Sequence, residues 1–326
     1  MTDRKVRPVR ILIGVDFSAA STSAVRWASG WLDGEAELIL VHALVIPDVS
    51  AGLALRMPLP QSLIANARAG AERRLRELSA SLNVHKVSIE AREGRPADVI
   101  ATVARERNVD LIIVGKHGEA GANRGYTGRT TDHLVRTSPA PVLVADGLLD
   151  GAPSRILVPV TYSSITPYII DWTKRIYDAS HANLFLVHVI GSAVLGHVLT
   201  ASAMRSGKDL SPSEIDEVFA EDRDRWKTEL VKAGIPASHV FAEVVFGEVS
   251  EAVLNAAARH HADMVVMGSH AGPSRRILLG SAASGVLREA GIPILIVVEP
   301  EAAESSVAGT SRQLERKEPA LKLQHA

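Results

Sequence analysis

The sequence predicts an α/β protein made of two tandem, doubly wound, parallel five-stranded sheets. Three observations carry this expectation. First, four segments occur twice in the same order: ILIGVDFSAAS from Ile11 and ILVPVTYSSIT from Ile156, ELILVHAL from Glu37 and NLFLVHVI from Asn183, DLIIVGKHG from Asp110 and DMVVMGSHA from Asp263, SPAPVLVA from Ser138 and AGIPILIVV from Ala290. Second, both copies alternate short apolar runs with longer amphipathic stretches, the order expected of βαβ units. Third, most of the short runs are nearly continuous in Val, Ile and Leu, as in strands covered on both faces. A repeated unit of about 145 residues sets the domain count and lets each copy test the other. The expected boundaries are 1–147 for the first domain and 148–300 for the second, with a disordered tail at 301–326.

In the first copy the expected strands are Arg10–Asp16, Glu37–Leu44, Lys86–Ala91, Asp110–Gly115 and Pro141–Ala145. Helices are expected over Ser21–Leu32, Gln61–Leu82, Pro96–Arg107 and Thr130–Thr137. In the third of these, Val99, Ile100 and Val103 form an apolar stripe from which Arg105 and Glu106 are excluded. Pro96 occupies a first-turn position, where its missing N–H costs nothing. The second copy repeats the plan with strands at Arg155–Thr161, Asn183–Val189, Val240–Phe246, Asp263–Gly268 and Pro293–Val298. Its long helix is expected to start near Ser211, where Ser-Pro-Ser-Glu offers a cap and an N1 proline. A Gly-, Asp- and Pro-rich linker runs from Asp146 to Ser154, and irregular loops are expected at Pro47–Pro60 and Gly191–Ser211. The tail from Glu301, rich in Ala, Ser, Glu, Lys and Arg, lacks apolar periodicity.

Composition removes several function classes. The net charge of −1 gives no electrostatic reason to expect nucleic acid or an anionic membrane as partner. With no cysteine, disulfides, thiolate metal sites and a cysteine nucleophile are excluded. No run resembles a signal-peptide core or a spanning helix, so a cytoplasmic location is the expectation.

Chemistry in a doubly wound sheet is expected where the strand order reverses, at the carboxyl ends of the strands. Two loops meet there. One carries Asp16 after the first strand. The other runs from Gly115 to Leu134, with glycines at 115, 118, 121, 125 and 128 ahead of a helical pattern. Such a loop lets backbone N–H groups approach phosphate oxygens, and the helix terminus adds positive potential. A mobile surface loop is the alternative reading of the same composition. Neither a P-loop nor a dinucleotide G-x-G-x-x-G is present.

These residues resemble the universal stress protein family in its tandem form, over Pro8 to Val298. The resemblance rests on Val-Asp-x-Ser after the first strand and Leu-Val-His in the second. It also rests on Gly-x-Pro before a helix, the Gly-x-His-Gly loop and the closing Pro-Val-Leu-Val. It implies a Rossmann-like universal stress protein fold and a stress-response role. In the nucleotide-binding branch it implies an adenine nucleotide, ATP, with Mg accompanying it. That branch has a glycine, two residues, a glycine, nine residues, then Gly-Ser or Gly-Thr. Gly115, Gly118 and Gly128 match the spacing, but Arg129 replaces the small hydroxyl residue and Thr130 follows. The resemblance implies adenine-side contacts from Asp16, a backbone contact at Ala43 and phosphate contacts from the glycine loop. Arg129 could pair with a phosphate, remain solvated, or fill the space a phosphate needs.

The second copy departs differently. Thr161 replaces Asp16, and Ala271 stands at the second-glycine position with Gly272 next. Gly280 and Ser281 keep the terminal Gly-Ser, Arg275 and Arg276 add charge, and the loop is one residue shorter. A candidate second site therefore comprises Val189, Gly268, Gly272, Gly280 and Ser281, able to hold a phosphate or sulfate.

Paired histidines carry less. His42 and His188, near the ends of matched strands, are read as core-edge rings bonded to backbone. His117 and His270 are read as phosphate contacts or loop-ordering groups. His260 and His261 have no further ligands at zinc spacing. The Arg68–Arg76 segment is read as a solvated face with ion pairs, and Ser18 has no triad motif. Two other functions fit the residues. One is a nucleotide-free interaction module whose closing strands, Pro141–Ala145 and Pro293–Val298, pair within the chain as an internal pseudo-dimer. The other is a weak ATPase, although no general base is placed to activate water. Protein partners are unassigned, and a homodimer is compatible with either reading.

Overall fold

A computed structural model describes residues 9–31, 36–46, 61–82, 84, 86–118, 127–146, 151–161, 163–192, 196–197, 200, 204, 214, 217, 219–269 and 279–299. In the first repeat the strands are β1 (Arg10–Gly14), β2 (Glu37–Leu44), β3 (Lys86–Glu93), β4 (Leu111–Gly115) and β5 (Val142–Ala145). Its helices are α1 (Ala19–Trp31), α2 (Gln61–Ala80), α3 (Pro96–Glu106) and α4 (Arg129–Thr137). The second repeat supplies β6 (Arg155–Val160), α5 (Thr166–Ser180), β7 (Asn183–Ile190), α6 (Ala220–Lys232) and β8 (Val240–Phe246). It continues with α7 (Val249–Arg259), β9 (Met264–Gly268), α8 (Ser281–Glu289) and β10 (Ile294–Val297). The helix start expected at Ser211, the loop at 47–60 and the tail from Glu301 lie outside the described residues; within Gly191–Ser211, expected as an irregular loop, the described residues 192, 196, 197, 200 and 204 are helical.

The chain forms two compact units, Met1–Pro153 with Arg288–Ile296, and Ser154–Leu287 with Val297–Ala326. Within the first, the strand order is β3-β2-β1-β4-β5-β10. Strands β1 to β5 run parallel, in register Arg10↔Glu37, Ile11↔Leu111 and Ile112↔Val142. Neighbouring residues Ile11, Leu12 and Ile13 are all fully buried, as are Leu38, Leu40, Ile112 and Ile113. Such runs can be continuous because helices cover both faces, α1 and α2 on one side and the mutually packed α3 and α4 on the other.

The closing strand of the second repeat contributes to this first unit. β10 pairs antiparallel with β5, Ile294 opposite Val144 and Ile296 opposite Val142. The apolar edge of β5 is thereby covered by a strand from the same chain, which removes an aggregation template. Trp27 on α1, almost wholly buried, donates from its indole N–H to the Gly151 carbonyl at 2.6 Å, fastening the linker to the first unit. Within the second unit the order is β9-β6-β7-β8, again parallel, with α5 against β9, α6 against β8 and α7 against β7. No helix among the described residues is long and apolar enough to cross a membrane.

The two outer strands are protected differently. On β3, Arg92 pairs with Glu90 and Glu106, and Arg68 reaches Glu93 at 2.6 Å. This ladder of charge makes β3 a poor template for another strand. On β8, Glu243 accepts from Arg259 at 2.8 Å and lies 3.0 Å from the His260 ring, while Phe241 stacks on Phe185.

Leu143 is 1% exposed on β5 and faces Leu295 across the antiparallel pair. Leu143→Ala is expected to lower stability by about 3 kcal/mol through lost burial and the cavity left behind, read as a shift in the urea midpoint.

Candidate functional site

β1 and β4 are neighbours, but the chain leaves them toward opposite ends of the sheet, so a crevice opens beyond their carboxyl ends. A cleft of about 420 Å³ lies there. Its wall includes Asp16, Ala43, Gly115, Gly118, Gly128, Arg129 and Thr130, so every first-repeat candidate residue lies in one place. Sequence reasoning gave no ligand role to Ser21, Pro96, Ile100 and Thr131, which also line the cleft. The Gly-x-Pro signal did mark Pro96. Ile100 was assigned wholly to the core; it is buried, yet one side of it forms cleft floor.

The turn after β1 aims the carboxylate. Asp16 Oδ1 accepts the Ser18 N–H at 3.0 Å, an Asx turn across Phe17. Phe17 adopts a left-handed backbone, φ 64°, which costs a non-glycine residue about 1 kcal/mol. Rings and charge hold it there. Its ring centroid lies 4.7 Å from that of His42, and the Arg74 guanidinium sits 3.9 Å over its other side. The arginine-rich segment is the exposed face with ion pairs that was expected: Arg68, Arg73, Arg74 and Arg76 are exposed and Arg68 and Arg76 pair with Glu93 and Glu72, while Arg74 in addition lies over Phe17. No sequence signal separated it from its neighbours.

His42 and His188 behave as read. Nδ1 of His42 lies 2.7 Å from the Val15 carbonyl and Nδ1 of His188 lies 3.1 Å from that of Val160. Only a protonated Nδ1 can donate to a carbonyl, which sets the tautomer in both. His117 lines the cleft, and His260 is taken up by Glu243. Among the described residues no group of His, Asp and Glu could hold a metal ion.

The glycine loop is anchored at both ends. Gly128 donates its N–H to the Lys116 carbonyl at 2.9 Å, and the Thr131 hydroxyl donates to Gly115 O at 2.8 Å. A Cβ on Gly128 would stand 3.0 Å from Lys116 O, and one on Gly118 would stand 3.1 Å from Asp16 Oδ2. Glycine at 118 therefore lets the loop approach the Asp16 carboxylate. At the N-cap of α4 Gly128 has no side chain to accept from the first turn. The first-turn N–H groups have no intrahelical carbonyl. Arg129, Thr130 and Thr131 of this turn line the cleft, with the helix dipole adding positive potential.

Lys116, in the middle of this motif, escaped notice because lysine in a loop reads as surface. It is 5% exposed; its ammonium donates to Asp146 Oδ2 at 3.0 Å and to the Ala290 carbonyl. Its backbone N–H donates to Ala145 O at 2.7 Å. One residue thus ties the root of the glycine loop to the end of β5 and to the segment leading into β10.

In the second unit, the candidate Val189 is the penultimate residue of β7, Gly268 ends β9 and Ser281 begins α8. Gly280 donates to Ser269 O at 2.7 Å, repeating the Gly128 anchor. Gly272, His270, Ala271, Arg275 and Arg276 lie outside the described residues, as do Gly121 and Gly125 of the first loop.

Fold and cleft together define a doubly wound α/β protein, duplicated in one chain, with a cleft at the switch point of its first repeat. The chain belongs to the universal stress protein family, whose sequence profile matches residues 9–146 and 153–298. It is similar to a universal stress protein of Mycolicibacterium smegmatis, 23% identical over 293 residues, covering 88% of this chain and 96% of that one. A Mycobacterium tuberculosis universal stress protein is 24% identical over 312 residues with the same coverage. A universal stress protein of Synechocystis is 27% identical over 194 residues, 57% of each chain. Among solved structures, a universal stress protein from Archaeoglobus fulgidus superposes with a TM-score of 0.63 at 15% identity, over 90% of this chain and 97% of that one.

Removing Lys116 strands Asp146 in a mostly buried setting. Lys116→Met is expected to cost about 3 kcal/mol, and Lys116→Met/Asp146→Leu to recover most of it, both read from thermal unfolding.

Proposed function

We propose that this protein acts in the stress response by binding an adenine nucleotide, ATP, in its first domain. The observation that carries this reading is the convergence, in one cleft, of a carboxylate and an anion-seeking helix terminus. Asp16 is suited to accept from an exocyclic amine or a ribose hydroxyl. Glycine backbone and the first turn of α4 are suited to phosphate oxygens. Ile100 and Pro96 offer apolar surface to a base or sugar. The cleft volume falls within the roughly 300–1,000 Å³ typical of small-molecule sites.

Arg129 is compatible with this role. It is exposed at the start of α4, on the cleft wall, where a guanidinium can pair with a phosphate without blocking the backbone N–H groups. Mg would arrive with the nucleotide phosphates, since no described cluster of side chains could hold an ion alone. The protein would signal through conformation or partners. Turnover is not part of the proposal.

Calorimetric titration of ATP into the full chain should give saturable binding. Asp16→Ala should weaken it by tenfold or more, about 1.4 kcal/mol. A wild-type protein that takes up no ATP at millimolar concentration would overturn the proposal and leave the nucleotide-free interaction module.

A further inference from the structure

The root of the glycine loop buries a charge that its backbone frame does not require. In the first domain the Lys116 N–H donates to Ala145 O at 2.7 Å, and Lys116 O accepts from the Gly128 N–H at 2.9 Å. The second domain closes the same frame around a serine. There the Ser269 N–H donates to Val297 O at 2.9 Å, and Ser269 O accepts from the Gly280 N–H at 2.7 Å. The turn therefore forms without a lysine. Yet Lys116 is 5% exposed, and its ammonium donates to Asp146 Oδ2 at 3.0 Å and to the Ala290 carbonyl. A buried ion pair adds little net stability, because desolvation of the two ions offsets their attraction. What this pair supplies is a fixed position.

On the cleft side that position leaves no slack. Lys116 stands between Gly115 and His117, and Gly115, His117, Gly118 and Gly128 all line the cleft. A Cβ on Gly128 would stand 3.0 Å from Lys116 O and 3.8 Å from the His117 Cα, so the N-cap of α4 lies directly against the loop's entry. A shift of the Lys116 backbone is passed to Gly128 and, through it, to the first turn of α4. On its other side the ammonium is held by a segment of the second repeat. Ala290, itself 5% exposed, belongs with Arg288–Ile296 to the first compact unit and leads into β10, which pairs with β5. Its carbonyl is the first beyond α8, an end of a helix that favours a cation.

We propose that Lys116 is a positioning residue for the first cleft, and that its bond to Ala290 makes nucleotide affinity there depend on the closing segment of the second repeat. Lys116 touches no nucleotide itself. It sets where the glycine backbone and the first turn of α4 stand. This rests on the nucleotide reading of the first cleft. Coupling of this kind is reciprocal: the factor that the seated segment adds to ATP affinity is the factor by which bound ATP favours the seating of Ala290 and β10. The second repeat contributes to the first site without lining it.

The test uses the full chain and Lys116→Met/Asp146→Leu, which replaces both charges with apolar side chains. This variant should melt near the wild type yet bind ATP roughly tenfold or more weakly by calorimetry. A role confined to stability would leave the affinity of the folded variant unmoved. Hydrogen exchange gives a second readout. In the wild type, ATP should slow the amides between Gly291 and Val297 by about threefold more than those of β3, at the far edge of the same unit. That difference should vanish in the double variant. Should the double variant unfold early, the wild-type exchange comparison decides by itself. Wild-type ATP affinity in the folded variant, or equal slowing of β3 and β10 in the wild type, overturns the inference while nucleotide binding stands. No ATP uptake by the wild type overturns the nucleotide reading, and the inference with it.

Discussion

The parallel pairing of β1 with β4 is the constraint on which the site depends. Ile11 lies opposite Leu111 and Ile13 opposite Ile113, so the two strands end side by side. From that edge one chain segment turns through Asp16 toward α1, and the other enters the glycine loop. Their helices pack on opposite faces of the sheet, which leaves the ground between them uncovered. A one-residue slip in this pairing would turn every buried side chain of β1 toward the wrong layer. The continuous burial of Ile11, Leu12 and Ile13 makes the alternative register no better, and the helices on either side select the observed one.

Around this crevice, local strain and buried polarity are compensated by specific neighbours. Phe17 tolerates a left-handed backbone because its ring is gripped between His42 and Arg74, and because Asp16 closes the turn. Lys116 tolerates burial because three groups answer its ammonium and its backbone N–H. Both arrangements lie within two residues of a predicted site residue. Departures from local preference concentrated at one place are a common mark of function.

Duplication separates what the scaffold requires from what the ligand requires. The Gly128-to-Lys116 and Gly280-to-Ser269 hydrogen bonds recur, as do the His42 and His188 contacts with a strand-end carbonyl. These contacts close turns and satisfy buried backbone, so both halves need them. Other positions have diverged, among them Asp16 against Thr161, Gly14 against Pro159 and Ala20 against Ile165.

The repeat, the strand–helix alternation of each half and the gathering of Asp16 with Gly115, Gly118 and Gly128 at the strand ends were legible from the residues, and the place of Ala43 from the family resemblance. Continuous Val, Ile and Leu runs report burial on two faces, and glycine spacing reports close backbone approach; both are local signals. Four features were not legible. The placement of β10 against β5, the burial of Lys116, the stacking of Arg74 on Phe17 and the packing of Ile165 on Gly268 each join residues far apart in the chain. A lysine in a glycine loop and an arginine among arginines carry no sequence mark of their partners. Their roles are set by which elements the sheet brings together. Periodicity and turn chemistry therefore determined the architecture and where ligands would gather. Only tertiary packing decided which charges are buried and which strand covers the β5 edge, because those outcomes depend on partners supplied from elsewhere in the chain.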